Sequence, residues 1–210
     1  MVEVNKITQA LMNGEGEKLV TLVFEALQQG RSAVDILNDD LVTGMDLIGD
    51  KMGSGEMFIP EVLMAAHTMQ MAVEILKPHL GEDETNSAGK IVIGTVKGDL
   101  HDIGKNLVVL MLESAGFEVI DLGVDVEPEL FIDAIIKNQP DILGLSALLT
   151  TTMPMLKKTV ETIANTDVRK SPKIMIGGAP VNQNFADEIG ADGYAPDAGS
   201  ASKLAKAMLA

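Results

Sequence analysis

The chain has 210 residues, 46% hydrophobic and 22% charged, a globular balance with length for one large domain or two small ones. A formal net charge of −15 at pH 7 repels phosphate backbones and argues against nucleic acid as a partner, and the lack of cysteine excludes disulfides, thiolate metal sites and cysteine nucleophiles. No apolar run approaches the roughly 20 residues of a membrane span, and Met1-Val2-Glu3-Val4-Asn5-Lys6 lacks a signal-peptide profile, so a cytoplasmic protein without a membrane partner is expected.

The apolar residues of the first part recur at three- and four-residue steps. Val34, Leu37, Leu41, Met45, Ile48 and Met52 form one stripe; Val62, Ala66, Met69, Val73 and Leu76 form another. Helices are predicted over residues 4–12, 15–29, 33–52 and 60–80, with Ser32 and Asp35 placed as a capping pair. Short connections between such helices favour an antiparallel four-helix bundle, a cap domain spanning residues 1–80. Most of the 13 methionines fall on these stripes as flexible core fillers. His67 reads as structural, and His79 as a cation at a helix C-terminus.

Residues 81–89 are polar and aperiodic, a linker. Beyond them, over residues 90–210, the period changes. Short β-rich runs (90–96, 118–122, 142–145, 173–176, and a fifth near Gly193-Tyr194) alternate with helical ones (105–115, 128–137, 153–164, 183–189, 200–209). That alternation predicts an α/β domain, a five-stranded doubly wound parallel sheet of the flavodoxin/Rossmann-like kind.

The most informative stretch is Gly98-Asp99-Leu100-His101-Asp102-Ile103-Gly104, which places a histidine between carboxylates on a strand-to-helix turn. Such turns face the crevice where open α/β sheets bind ligands. Ser146-Ala147-Leu148-Leu149-Thr150-Thr151-Thr152 follows the third strand, and Gly177-Gly178-Ala179-Pro180 the fourth, so all three segments share one sheet edge. A P-loop does not fit, because the spacing is one residue too long and Asn106 stands where Ser or Thr should bind magnesium. A receiver-type phosphoacceptor would need an aspartate where Ser146 stands. Zinc needs three or four ligands, with only 3 histidines present and no thiolate. A serine nucleophile elbow is missing. An FMN site stays open on architecture alone, but gives His101 no role. One chemistry uses the constellation as it stands: a single imidazole, oriented by a carboxylate and a hydroxyl, is a lone axial ligand to a metal already chelated by a macrocycle. Glycines let backbone approach such a bulky group closely. Taken alone, Asp102 could cap the following helix, and Gly177-Gly178 could be an ordinary turn.

Asp99-x-His101-x-x-Gly104, then Ser146-x-Leu148, then Gly177-Gly178, each after a predicted strand, resemble the signature of cobalamin-binding modules. These include methionine synthase, the mutases and the corrinoid proteins of methanogens and acetogens. Lys51-Met52-Gly53-Ser54-Gly55-Glu56-Met57-Phe58-Ile59-Pro60 resembles the helical cap of methyl-carrying members. The nearest likeness is to small corrinoid proteins serving methylamine, methanol or quaternary-amine methyltransferases.

The resemblance implies cobalamin or a related corrinoid, carried as methylcobalamin, with His101 as the lower axial cobalt ligand. Asp99 and Thr152 would form the relay behind it. Gly98, Asp102, Ile103, Gly104 and Leu148 would contact the cofactor; Ser146, Thr150, Gly177, Gly178 and Ala198 would line a tunnel for the displaced nucleotide tail. Met52 and Ile59 would cover the upper face. The implied partners are a substrate-specific methyltransferase, a second methyltransferase passing methyl to coenzyme M or tetrahydrofolate, and a reductive activator. The chain would turn over little alone. Protonating the coupled His101–Asp99 pair would ease formation of Co(I), and the cap would move aside across the linker for each partner. The alternatives are the cobalamin subunit of a radical mutase, which usually lacks a cap, and a cobalamin-dependent sensor or regulator. The latter carries a basic DNA-binding domain that neither length nor charge accommodates.

Overall fold

The computed structural model describes residues 5–80, 88–170 and 172–210. Val4, the expected start of the first helix, and residues 81–87 of the expected linker lie outside them. The chain divides into two compact units, Met1–Asn86 and Ser87–Ala210.

The first unit is helical: α1 (Lys6–Met12), α2 (Gly16–Gln28), α3 (Ala33–Asp35), α4 (Thr43–Gly53) and α5 (Ile59–Leu76). Asn5 caps α1 by accepting the Thr8 amide at 2.9 Å, and Ser32 caps α3 by accepting the Asp35 amide at 3.0 Å. Ahead of α5, where Pro60 occupies the first turn, the Glu61 carboxylate accepts the Phe58 amide at 2.8 Å. Helix α5 ends at Leu76, and Lys77–His79 tighten into a 3-10 turn rather than continuing to residue 80.

One expected helix is not regular. Between α3 and α4 the chain runs as a π-helical segment, Ile36–Val42. The extra residue per turn rotates the buried stripe, so the core takes Ala33 and Ile36, not Val34 and Leu37, before resuming at Leu41, Met45 and Ile48. It also turns Asp40 inward. The carboxylate is buried, accepts from Asn5 Nδ2 and pairs with Arg31 Nη1 at 2.7 Å, while Thr8 Oγ1 donates to the Asp40 carbonyl at 3.1 Å. His67 is exposed on α5, so it is not a core histidine.

The second unit holds β1 (Lys90–Thr95), β2 (Glu118–Asp121), β3 (Ile142–Ser146), β4 (Lys173–Gly177) and β5 (Gly193–Ala195), with α6 (Ile103–Ser114), α7 (Pro128–Asn138), α8 (Met153–Ala164), α9 (Gln183–Ile189) and α10 (Ala198–Leu209). All pairings are parallel, in the order β2-β1-β3-β4-β5, the doubly wound arrangement. Both faces are covered. Val92, Leu143 and Ile174 pack with Phe131 of α7, Leu156 of α8 and Ile189 of α9; Ile91, Ile142 and Met175 pack with Leu112 of α6 and Ala201 and Ala205 of α10. Gly94 lies under Phe131, and a Cβ there would stand 2.8 Å from its ring. No helix among the described residues is long and apolar enough to cross a membrane.

The register aligns the strand ends that carry the site. Thr95, Ser146, Gly177 and Ala195 form one row across the sheet. β3 and β4 each run one residue further than predicted. Helix α6 begins at Ile103, two residues early, so Ile103 and Gly104 lie in its first turn. Helix α10 begins at Ala198, because Asp197 caps it by accepting the Ser200 amide at 2.8 Å.

Candidate functional site

Asp99 is the hub of the loop that follows β1. Its carboxylate is fully buried and accepts four hydrogen bonds. His101 Nδ1 lies 2.7 Å from Oδ1, and the His101 amide donates to the same oxygen at 3.1 Å. The Leu148 amide and the Thr152 hydroxyl each donate to Oδ2 at 2.7 Å. Thr152 Oγ1 is also 2.9 Å from the Leu149 carbonyl, but its single proton is better placed on the charged, nearer acceptor. Burial by itself would raise the Asp99 pKa. The bonds from Thr152, Leu148 and His101 outweigh it and hold the carboxyl well below the usual carboxylate range.

An ionised Asp99 has no proton to give, so Nδ1 of His101 donates to it, and Nε2 is the nitrogen that carries the lone pair of the neutral ring. The side chain of His101 is 48% exposed. Among the described residues Nε2 has no hydrogen-bond partner, and no cluster of three or more metal-ligating side chains exists. A metal met by Nε2 must therefore bring its other ligands with it.

The loop's geometry follows from the backbone around it. Gly98 takes φ +82, a left-handed turn that favours glycine. Thr95, fully buried at the end of β1, donates its hydroxyl to the His101 carbonyl at 3.0 Å. Lys105 of α6, also buried, pairs with Asp121 at the end of β2 and donates to Asn106 Oδ1 at 2.8 Å. Sequence reasoning passed over Thr95 and Lys105, though a threonine within an apolar strand and a lysine on the inner face of a helix were available signals.

Gly177-Gly178 and Ser146-x-Leu148 lie against each other. The Ala147 amide donates to the Gly177 carbonyl at 3.2 Å, and a Cβ on Gly178 would stand 1.8 Å from the Ala147 oxygen. Gly178 also has φ +125. This glycine is demanded by two backbones crossing. Gly104 is different: nothing lies within 4 Å of the Cβ it lacks. The large apolar side chains of Leu100, Leu148 and Leu149, on the two loops that hold His101 and its support, are exposed, as is Ile103 at the start of α6.

The other expected site residues are dispersed. Asp102 stands at the N-cap position of α6, yet its side chain makes no capping bond, so the simple capping reading does not hold. Thr150 is exposed beyond Leu149, outside the Asp99 network, and Ala198 is buried as the first residue of α10. In the helical unit Met52 is half-buried at the end of α4, and Ile59 is exposed at the start of α5. Between them the amides of Glu56 and Met57 both donate to the Lys51 carbonyl, closing a tight turn.

Known proteins resemble the chain along its whole length. Two family models, each described as a B12 binding domain, match residues 89–202 and residues 3–77. A corrinoid protein of Desulfitobacterium hafniense is 41% identical over 208 residues, 98% of this chain and 96% of the relative. A trimethylamine corrinoid protein of Methanosarcina barkeri is 38% identical over 206 residues, 97% and 95% of the two chains. Among solved structures, a cobalamin-binding protein from Desulfitobacterium hafniense superposes with a TM-score of 0.86 at 33% identity, covering 99% of each chain. The methanol:cobalamin methyltransferase complex of Methanosarcina barkeri contains a chain that matches with a TM-score of 0.81 at 32% identity, over 98% of this chain and 79% of that one. With its doubly wound sheet, its helical unit and an imidazole poised on the sheet edge, the chain belongs to the B12-binding family of corrinoid proteins that work with methyltransferases.

Proposed function

We propose that the protein binds a corrinoid through His101 Nε2 and carries a methyl group between a substrate-specific methyltransferase and a second one. The observation that carries this reading is the Asp99–His101 pair, 2.7 Å apart, with its outer nitrogen open. When bound, the corrinoid supplies a cobalt centre able to accept and give up a methyl group. The residues fit such a group. One donor suffices for a metal already held by a ring; the open Gly104 leaves room for it, and the exposed Leu100, Ile103, Leu148 and Leu149 offer apolar side chains to it.

Asp99 keeps the imidazole in one tautomer and one orientation, and Thr152 and the Leu148 amide keep Asp99 charged. Ser146, Gly177 and Gly178 would border the path of the nucleotide tail, with Thr150 and Ala198 further along it. Gly98, Asp102 and Ile103 would flank the lower face, and Met52 and Ile59 would shield the upper one. Residues 1–80 would act as a cap, residues 81–89 as its linker and residues 90–210 as the cobalamin-binding domain. The second methyltransferase would pass the methyl to coenzyme M or tetrahydrofolate, a reductive activator would restore oxidised protein, and the setting would be cytoplasmic.

The test is reconstitution of the apoprotein with hydroxocobalamin. Near-stoichiometric uptake with a histidine-ligated absorption spectrum is expected. His101→Gly should lose that ligation and keep weaker binding; an unchanged spectrum in His101→Gly would refute the ligand assignment. In turnover with a partner methyltransferase, methylcobalamin and not adenosylcobalamin should sustain transfer.

A further inference from the structure

The loop that carries His101 is held from a side that none of the three motif segments supplies. Asp125 lies in the connection between β2 and α7 and has φ +57, a left-handed backbone rare for a residue with a side chain. From that position its carboxylate Oδ1 accepts the Gly98 amide at 2.8 Å, and its own amide donates to the Asp99 carbonyl at 3.0 Å. Its second oxygen is 3.2 Å from Lys97 Nζ, which also reaches Glu127 at 3.1 Å. Three consecutive residues, Lys97, Gly98 and Asp99, are therefore gripped by one aspartate.

We infer that Asp125 is a positioning residue for the axial ligand, fixing the Gly98–Asp99 turn so that the Asp99 carboxylate stays aligned with the His101 ring. The Asp99 side chain is anchored by Leu148 and Thr152, and its backbone carbonyl is anchored by Asp125. With both ends held, the carboxylate has one direction in which to face the imidazole. The exposed ion pair with Lys97 contributes little by itself; the acceptor for Gly98 is the working part. The Asp125 carboxyl is held below its ordinary range, first by the Gly98 amide and then by Lys97, which keeps it an acceptor. This inference rests on the proposed ligand role of His101.

The test compares Asp125→Gly, which removes the carboxylate and relieves the left-handed backbone, with Asp125→Asn, which keeps a short acceptor and tolerates that backbone. In the apoprotein, at a pH where the His101 ring nitrogen shifts no longer change with added base, those shifts report the ratio of the Nδ1–H to the Nε2–H tautomer. Asp125→Gly should lower that ratio about fivefold, the loss of roughly one hydrogen bond's worth of alignment. Asp125→Asn should stay within about twofold of the parent. In the reconstituted protein Asp125→Gly should show a smaller histidine-ligated fraction, restored in Asp125→Asn. A parental ratio in the glycine variant, or an equal fall in Asp125→Asn, would overturn the inference. If the parent protein itself shows no histidine-ligated spectrum, the ligand reading fails, and the apoprotein ratio still decides the role of Asp125.

Discussion

The Asp99 carboxylate accepts the Leu148 amide at 2.7 Å across 49 residues of sequence, joining the loop after β1 to the loop after β3. The same oxygen takes the Thr152 hydroxyl, so a change at Asp99 disturbs two loops as well as the imidazole. Asp99→Ala should cost about 1–3 kcal/mol, because it strips the Leu148 amide and the His101 ring of their acceptor and leaves the buried Thr152 hydroxyl only the Leu149 carbonyl. Asp99→Asn presents an amide donor where only acceptors fit and should cost a similar amount. Urea unfolding measures both, and an unchanged midpoint would contradict the buried-acceptor role.

Acid should act through the same group. The folded-state pKa of Asp99 is depressed by its four donors, so its contribution is fully present above the unfolded value of about 3.9. It is lost progressively as pH falls below that value, when protons bind the unfolded chain first. Asp99→Asn should flatten the acid limb of a plot of urea midpoint against pH below about 4.5. A parallel limb in the variant would assign the acid sensitivity to other carboxylates.

Two glycines near the site should respond in opposite ways. Gly178→Ala forces a Cβ into the Ala147 carbonyl and a left-handed φ on a side chain, and should cost about 3 kcal/mol or more. Gly104→Ala meets nothing and replaces glycine in a helical turn, so the apoprotein should gain about 0.5–1 kcal/mol. The same Gly104 variant should bind hydroxocobalamin more weakly, since the added methyl occupies the face offered to it. Thermal unfolding of the apoprotein and equilibrium dialysis separate the two effects. Tighter uptake by Gly104→Ala would argue against corrin approach at this point.

In the helical unit, Arg31→Ala should leave the Asp40 carboxylate buried with Asn5 as its remaining side-chain donor. Because the guanidinium is partly exposed, a loss of about 1–3 kcal/mol is expected, below the full range for a buried pair. Asp40→Asn in the Arg31→Ala background should recover part of it. Far-UV circular dichroism during chemical unfolding of the full chain reads this, and a double variant no better than the single one would contradict the pairing.

Much of the architecture was legible because its signals are local. The switch from three-and-four spacing to alternating strand and helix divides the chain, and five predicted strands and their helices match the observed ones within a residue or two. The departures have local causes that a periodicity cannot carry. The π-helical insertion at Ile36–Val42 shifts the buried stripe by one position, and what it turns inward, Asp40, finds its partners at Asn5 and Arg31. Asp102 looked like a helix cap because it precedes α6, yet no bond from its carboxylate forms. Asp125 carried no motif, since its bond to the Gly98 amide depends on where the connection after β2 runs.

Sequence alone therefore determined the order of elements, the parallel sheet and the gathering of His101, Ser146 and Gly177 at one sheet edge, because the faces of helices and strands repeat over a few residues. Only the tertiary structure decided which of those residues touch: that Asp99 holds His101 on one oxygen and Thr152 on the other, that Gly178 is required by a crossing backbone, and that Gly104 stands open. The contacts of Asp99 with Thr152 and of Gly178 with Ala147 join segments far apart in the sequence, set by sheet register and loop packing, and no local pattern encodes them.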